Sequence, residues 1–193
     1  METTAMPSAR SEHSLRSRIA DQARRGLTLI EAAMVLAILA LVVAGIMLFY
    51  TNANTSRNTT NALSQLASVQ QTVRTLYGGQ PSYEGVTAAL IAGSRSLPAG
   101  MVSGTTLRHS FNSTIDIVAA DGGGGSNSGF RVTFNNIPQE ACIRMLSADL
   151  GRGVHSAGVG STLRTQTTGL PHSLADATAA CASTYNSVVW IFN

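Results

Sequence analysis

The pattern of apolar and polar positions divides the chain into an apolar segment near its N-terminus and a mixed remainder. Nineteen consecutive residues without a charge or a proline run from Ala32 to Tyr50. As a helix this segment spans about 28 Å, close to the thickness of the hydrocarbon core of a bilayer. Arginines precede it and only Arg57 follows closely, so we expect one membrane span with the N-terminus in the cytoplasm.

An ordinary secretory signal peptide fits this segment poorly. Such a peptide has a shorter apolar core and a small-residue cleavage site directly after it. Here the polar sequence TNANTSRNTT follows Tyr50, and no A-x-A motif stands at the junction. A permanent membrane anchor stays open as an explanation of the apolar segment.

The polar stretch leads into a segment with one apolar stripe. Apolar residues recur there at spacings of three and four, as on one face of an amphipathic helix. They are Ala62, Leu63, Leu66, Val69, Val73 and Leu76. Gly78, Gly79 and Pro81 then end the pattern, so we expect one helix from about Thr28 to Tyr77. A membrane helix with a juxtamembrane stalk would show the same stripe.

The remaining residues predict a small domain in which helices and strands are mixed along the chain. Phe130, Val132 and Phe134 alternate with polar residues, as in a half-buried strand. The predicted elements are a helix over 84–93, strands over 114–119 and 130–137, a helix from 137 to about 150, a helix over 173–180 and a strand over 187–192. That last strand is apolar enough to be covered on both faces. The glycine-rich residues 121–129 predict a flexible hairpin loop, since a phosphate-binding P-loop would need a lysine and a hydroxyl that are missing.

Charge is concentrated at the N-terminus. All 13 basic residues are arginines, and five of them lie among the first 26 residues, against three acids. The rest of the chain carries eight arginines and seven acids, which leaves it nearly neutral. Nucleic-acid binding requires a basic face on the folded domain, so we expect no nucleic-acid partner. The basic excess indicates targeting instead.

The sequence contains no motif of a catalytic or metal site. The histidines, His13, His109, His155 and His172, are scattered, and neither GxSxG nor HExxH occurs. We therefore expect surface histidines, no catalytic residue, no metal and no cofactor. An enzyme is the weaker rival from another functional class. A membrane-anchored adhesin or binding module that does not polymerise is the stronger one.

One carboxylate, Glu31, lies at the start of the apolar segment. An ionisable group at the centre of a membrane costs about 2.5–3.5 kcal/mol, and less near the boundary. A glutamate held at the water interface is therefore one explanation. Its neighbours offer another, because Glu31 ends the run Arg24-Arg25-Gly26-Leu27-Thr28-Leu29-Ile30-Glu31.

This run resembles the prepilin peptidase site of type IV pilins. In that family cleavage follows the glycine, the new N-terminal residue is methylated, and a glutamate stands at the fifth mature position. The resemblance implies cleavage between Gly26 and Leu27 and an assembly role for Glu31. In a filament core the amine of Leu27 could neutralise Glu31 of a neighbouring subunit and remove the cost of an unpaired buried charge. The leader of 26 residues and the leucine as first mature residue resemble those of the type IVb branch of the family.

The C-terminal part is similar to the type IVb major pilins of the thin-pilus (PilS) kind. The similarity is carried by IPQEACIRML, ATAACASTYNSVVW and TLYGGQPSY. It implies an α+β fold, in which a long N-terminal helix packs on a small antiparallel sheet with a C-terminal disulfide loop region. In such pilins the two cysteines, here Cys142 and Cys181, form that disulfide. An export signal also favours one disulfide bond, because exported proteins reach an oxidising compartment. Two free, buried thiols are the alternative.

The resemblance divides the chain into a leader (1–26), a transmembrane and filament-core helix (27–50), the amphipathic half of the helix (51–77) and a globular head (78–193). The implied partners are prepilin peptidase, further copies of the chain in a helical homopolymer, the pilus assembly machinery, and inner-membrane lipid before assembly. The implied location is the bacterial inner membrane and then an extracellular pilus. A minor pilin and a type II secretion pseudopilin stay open, as do adhesion, aggregation and conjugative contact as purposes of the filament.

Overall fold

The computed structural model describes residues 28–151 and 153–193. The leader (1–26) lies outside these residues, and so does the predicted cleavage point between Gly26 and Leu27. The chain forms two compact units, one up to Thr51 and one from Asn52 onward. A single N-terminal helix, α1 (Leu29–Tyr77), contributes residues to both.

Helix α1 has the limits that the sequence predicts, to within one residue. It runs for 49 residues and ends where the glycines begin. In the first unit its large apolar side chains are all exposed, from Leu29 to Tyr50. Its length and hydropathy are those of a helix able to cross a membrane.

In the second unit, one stripe of α1 is buried. Its buried residues are Thr59, Ala62, Leu66, Val69, Thr72 and Val73. Four of the six residues of the predicted stripe are among them, whereas Leu76 is 42% exposed. Thr59 can be buried because its hydroxyl donates to the Thr55 carbonyl at 2.8 Å, one turn back in the helix.

After α1 the chain alternates short helices with the strands of one antiparallel sheet. Helix α2 (Ala88–Gly93) and a 3-10 helix (Ala99–Met101) come first. The elements that follow are β1 (Val102–Ser103), β2 (Thr106–Arg108), β3 (Thr114–Ala120), β4 (Gly129–Pro138), α3 (Gln139–Ser147), β5 (Val154–Val159), β6 (Thr162–Thr165), α4 (Gln166–Gly169), α5 (Leu174–Ala180) and β7 (Tyr185–Phe192). In the sheet the order is β1-β2-β3-β4-β7-β5-β6. The predicted α+β class is confirmed.

Strand β7 lies in the interior of the sheet, between β4 and β5. Its Trp190 pairs with Val132 of β4 and with Ala157 of β5. All residues from Val188 to Phe192 are buried, as a continuous apolar run predicts. Alternate side chains of this strand join the α1 stripe in one hydrophobic core.

The glycine-rich loop between β3 and β4 is a hairpin, as predicted, but its own side chains order it. Asp121 Oδ1 accepts the N–H groups of Gly123 at 2.8 Å and Gly125 at 3.1 Å. Ser128 Oγ accepts two further backbone N–H groups. The bonds from Gly123 and then Gly125 lower the pKa of the Asp121 carboxyl. The high glycine content of this loop predicts flexibility. The hydrogen bonds that order the loop cannot be read from its composition.

Two predicted helices are shorter in the structure. Helix α2 starts at Ala88, because Gly85 adopts a φ of 78° and Thr87 caps the helix by accepting the Leu90 N–H at 3.3 Å. Helix α3 ends at Ser147 and not near residue 150. The prediction contains no counterpart of β1, β2, β5, β6 or α4.

Candidate functional site

The described part of the predicted processing and assembly segment begins at Thr28. Its hydroxyl oxygen accepts the Glu31 N–H at 3.4 Å, and its carbonyl accepts the N–H of Ala32 at 3.0 Å. Thr28 therefore caps α1, with Glu31 in the first turn, where the helix dipole favours a carboxylate. The T-x-x-E spacing is that of a capping box, and it is the sequence signal by which this role of Thr28 could have been found.

Glu31 is exposed in the subunit and adjoins an apolar helical surface. Complete burial of one large apolar side chain stabilises a protein by about 1.5–3 kcal/mol, so this surface favours cover by lipid or by protein. Between Leu29 and Tyr50, Glu31 is also the only charged residue. Any partner that covers the helix must therefore leave this carboxylate in water, provide a counter-charge, or bury it in its protonated form.

A disulfide bond joins Cys142 to Cys181. Cys142 lies in α3 and Cys181 follows the end of α5, with 6.0 Å between their Cα atoms. Both residues are fully buried. The bridge closes a segment that contains β5, β6, α4 and α5. It thus forms the C-terminal disulfide region that the family resemblance implies.

An arginine that the sequence did not single out connects α1 to the end of β7. Arg74, in the last turn of α1, donates from Nη2 to the carbonyl of Asn193 at 2.6 Å and to that of Gly153 at 3.3 Å. One guanidinium group can serve both carbonyls because it presents several donors in a fixed plane. This contact joins the helix to two distant parts of the head.

Two histidines contradict the expectation of surface positions. His109 and His172 are only 3% and 5% exposed. His109 Nε2 lies 2.8 Å from the Asn135 carbonyl, and His172 Nε2 lies 3.1 Å from that of Ala157. Buried imidazoles are stable where such partners exist, and the partners are distant in sequence.

The described residues offer no evident catalytic or metal centre. Among them, no group of three His, Cys, Asp or Glu side chains could hold a metal ion. One cavity of about 200 Å³ opens beside Trp190, and Asp149 is the one ionisable residue in its lining. A lone carboxylate supplies neither a nucleophile paired with a base nor a ligand set.

Two family models match this chain. The model described as Bundlin matches residues 51–188, most of the chain. The chain belongs to the Bundlin family. A second model, described as the prokaryotic N-terminal methylation motif, matches residues 21–47. That match spans Gly26, Leu27 and Glu31, the residues of the predicted processing and assembly site.

Relatives of this Bundlin-family chain include two Escherichia coli proteins, each named major structural subunit of bundle-forming pilus. The protein from strain O111:H- is 28% identical over 162 residues, which are 83% of either chain. The protein from O127:H6 (strain E2348/69 / EPEC) is 30% identical over 137 residues, or 70% of either chain. This Bundlin-family chain is therefore a pilin, and both of these relatives are structural subunits of a pilus.

A solved structure supports the fold of this pilin independently. The crystal structure of a type IVb pilin from Salmonella typhi matches with a TM-score of 0.54 at 21% identity. The match covers 68% of this chain and 97% of that one. The predicted pilin fold is confirmed.

Proposed function

We propose that this pilin is the major, shaft-forming subunit of an extracellular type IVb filament. Residues 27–50 hold the precursor in the bacterial inner membrane, with the N-terminus in the cytoplasm. Prepilin peptidase cleaves between Gly26 and Leu27, and the new N-terminal leucine is methylated. The assembly machinery then transfers the subunit from lipid into the filament. This role requires no cofactor and no catalytic activity of the chain.

The exposed apolar surface of α1 is the observation that carries this proposal. A helix exposed to this extent is stable in lipid, and equally stable when identical helices surround it. Transfer from membrane to filament core therefore exchanges one apolar environment for another. The match of residues 21–47 to a methylation motif supports processing directly before this helix.

Glu31 gives the transfer its specificity. At the membrane boundary its carboxylate reaches water, whereas a filament core offers none. The amine that cleavage creates at Leu27 is the counter-charge, supplied by the neighbouring subunit. Pairing offsets the burial cost and fixes the axial stagger between subunits.

The cleavage site is tested by sequencing the N-terminus of purified filaments. We expect chains that begin with N-methylated Leu27. A large residue in place of Gly26 should leave the precursor uncleaved, while Gly26→Ala should be processed in part. Filament subunits with any other N-terminus would contradict the proposed site.

The role of Glu31 is tested with Glu31→Gln. Glutamine keeps the hydrogen-bonding side chain that suits this position of a capping box, and it removes only the charge. We expect normal insertion and cleavage of this variant but few or no sheared filaments, measured by immunoblotting of membrane and filament fractions. Glu31→Ala is the matched variant that loses the hydrogen-bonding side chain as well as the charge. Abundant filaments of Glu31→Gln would show that charge pairing is not needed and would favour a boundary glutamate.

The names of the E. coli relatives favour the major subunit over a minor pilin, a secretion pseudopilin or an anchored adhesin. The same names suggest lateral association of filaments, so aggregation is the purpose that we favour over conjugative contact. Deletion of the gene distinguishes a major subunit from a minor pilin or an anchored adhesin. Loss of a major subunit abolishes the filaments, whereas loss of a minor pilin or of an anchored adhesin leaves filaments that contain other subunits.

A further inference from the structure

His109 stands at the start of a tight turn, residues 109–112, between β2 and β3. The Asn112 N–H donates to the His109 carbonyl at 2.8 Å and closes the turn. The imidazole ring stacks on Phe134, with 5.0 Å between ring centroids and 4° between ring planes. Its Nε2 lies 2.8 Å from the Asn135 carbonyl, and its Nδ1 accepts the Phe111 N–H at 3.2 Å.

Only one form of the ring satisfies both contacts. A carbonyl can only accept, so Nε2 must carry a proton, and a backbone N–H can only donate, so Nδ1 must not carry one. The neutral Nε2–H tautomer meets both conditions. The imidazolium cation places a second N–H against the Phe111 N–H and loses that bond.

The turn that His109 holds is also a contact with α1. The Ser110 N–H donates to Gln65 Oε1 at 2.9 Å, and the Ser110 hydroxyl donates to the Asn58 carbonyl at 2.6 Å. Both acceptors belong to the part of α1 within the second unit. Release of the turn would therefore detach this loop from the helix.

The surroundings of the ring contain little charge that could oppose protonation or favour it. Helix α1 offers the turn the Gln65 amide and a backbone carbonyl, and β4 offers Phe134 and the Asn135 carbonyl. Two charged groups lie one hydrogen bond further away. Arg108 donates to Asn112 at 2.9 Å, and the Asp116 carboxylate accepts from the Asn135 side chain. Burial lowers the pKa of His109, and the bond to the Asn135 carbonyl raises it by less.

We propose that His109 is an acid-sensitive latch, whose protonation releases the turn 109–112 from Asn58 and Gln65 of α1. In the closed state the ring is neutral and buried. In the open state it meets water and takes up a proton readily. Acid therefore favours the open state.

The size of the effect follows from proton linkage. An exposed histidine has a pKa of about 6.5, and the closed state has a lower one. Above about 6.5 both states are neutral, and opening does not depend on pH. Below it, the opening equilibrium rises by up to about tenfold per pH unit until the lower pKa of the closed state is reached.

Hydrogen exchange on purified filaments of the full mature chain measures this directly. The exchange rates of segment 108–113 are recorded over a pH series and divided by the intrinsic rates at each pH. We expect a constant ratio above about pH 6.5 and a rise toward tenfold per unit below it. His109→Gln should abolish the rise, whereas His155→Gln, in β5, should keep it. Ser110→Ala should open the segment at every pH and keep the pH-dependent slope.

Two outcomes would overturn the latch. One is a ratio that stays constant in the unmodified protein at all pH values. The other is a rise of the same slope in His109→Gln. If His109→Gln does not assemble, nuclear magnetic resonance of the unmodified full-length pilin in micelles gives the pH at which the His109 ring is half-protonated. A value equal to that of an exposed histidine would equally exclude the latch.

Discussion

Gly158 of β5 lies opposite Leu163 of β6, where the two strands approach each other closely. A Cβ atom built on Gly158 would overlap the carbonyl of Thr162 and lie 2.9 Å from the Cα of Leu163. Both contacts are with backbone, which cannot rotate away as a side-chain tip can. Glycine is therefore needed here for the room that it leaves.

We predict that Gly158→Ala destabilises the head by about 1–3 kcal/mol through overpacking. Gly100→Ala is the matched control, because a Cβ there meets nothing within 4 Å. Its stability should change by about 0.5 kcal/mol at most. Denaturant unfolding of both variants checks the difference, and equal midpoints would refute the account of Gly158.

Single residues are also where sequence reasoning failed most clearly. A histidine is polar, and scattered histidines predict surface positions. His109 is buried because Phe134 and Asn135 reach it from another strand. No local pattern encodes such a contact, since it depends on how β2 and β4 are brought together. Thr28, by contrast, had a local signal in its spacing to Glu31.

At the scale of elements, length and periodicity decided what could be predicted. Helix α1 was predicted to within one residue, because a long apolar run and a clear stripe precede a double glycine. Strands β3, β4 and β7 carry alternating or continuous apolar residues. Strands β5 and β6 were missed, since small and polar residues such as Ser156 and Gly158 dilute their pattern. The position of β5 is set by its pairing with β7, and that of β6 by its pairing with β5, rather than by their own composition.

Strand β6 forms one edge of the sheet, and α4 protects it. The Thr165 N–H donates to Thr168 Oγ1 at 2.8 Å, in a capping box that starts α4 immediately after the strand. This bond occupies a donor that could otherwise pair with a strand of another chain. Short, occupied edges limit unwanted strand pairing.

We predict that Thr168→Ala weakens α4 by about 0.5–1.5 kcal/mol, the usual net contribution of one hydrogen bond. Hydrogen exchange at Thr165 should accelerate, because its N–H loses its acceptor. Thr178→Ala is the control, since its hydroxyl bonds the Leu174 carbonyl within α5 and caps nothing. Unchanged exchange at Thr165 would mean that the cap does not protect the edge.

For the whole head, the disulfide is the strongest single constraint on the unfolded chain. It joins residues separated by 39 positions. In the chain-entropy model, a loop of this size stabilises the native state by about 4 kcal/mol, and measured values are often smaller. The Bundlin-family head is small and contains many glycines, so this contribution is a large fraction of its stability.

We predict that Cys142→Ala combined with Cys181→Ala lowers the free energy of unfolding by about 2–4 kcal/mol. Denaturant unfolding checks this value, and reduction of the unmodified protein should give a similar loss. Mass spectrometry before and after reduction should show a gain of two hydrogen atoms. Native filaments whose cysteines react with an alkylating reagent without reduction would contradict the bridge.

The same cross-link limits how far a subunit can lengthen when its filament is pulled. An extended chain spans roughly 3.3–3.6 Å per residue. The segment between the two cysteines, whose sequence separation is 39, would therefore contribute about 130 Å of contour length if it could unfold. The covalent bridge carries the load past this segment, so only residues outside it can be drawn out. When a filament is pulled, each unfolded head therefore extends by less than the full contour length of its chain.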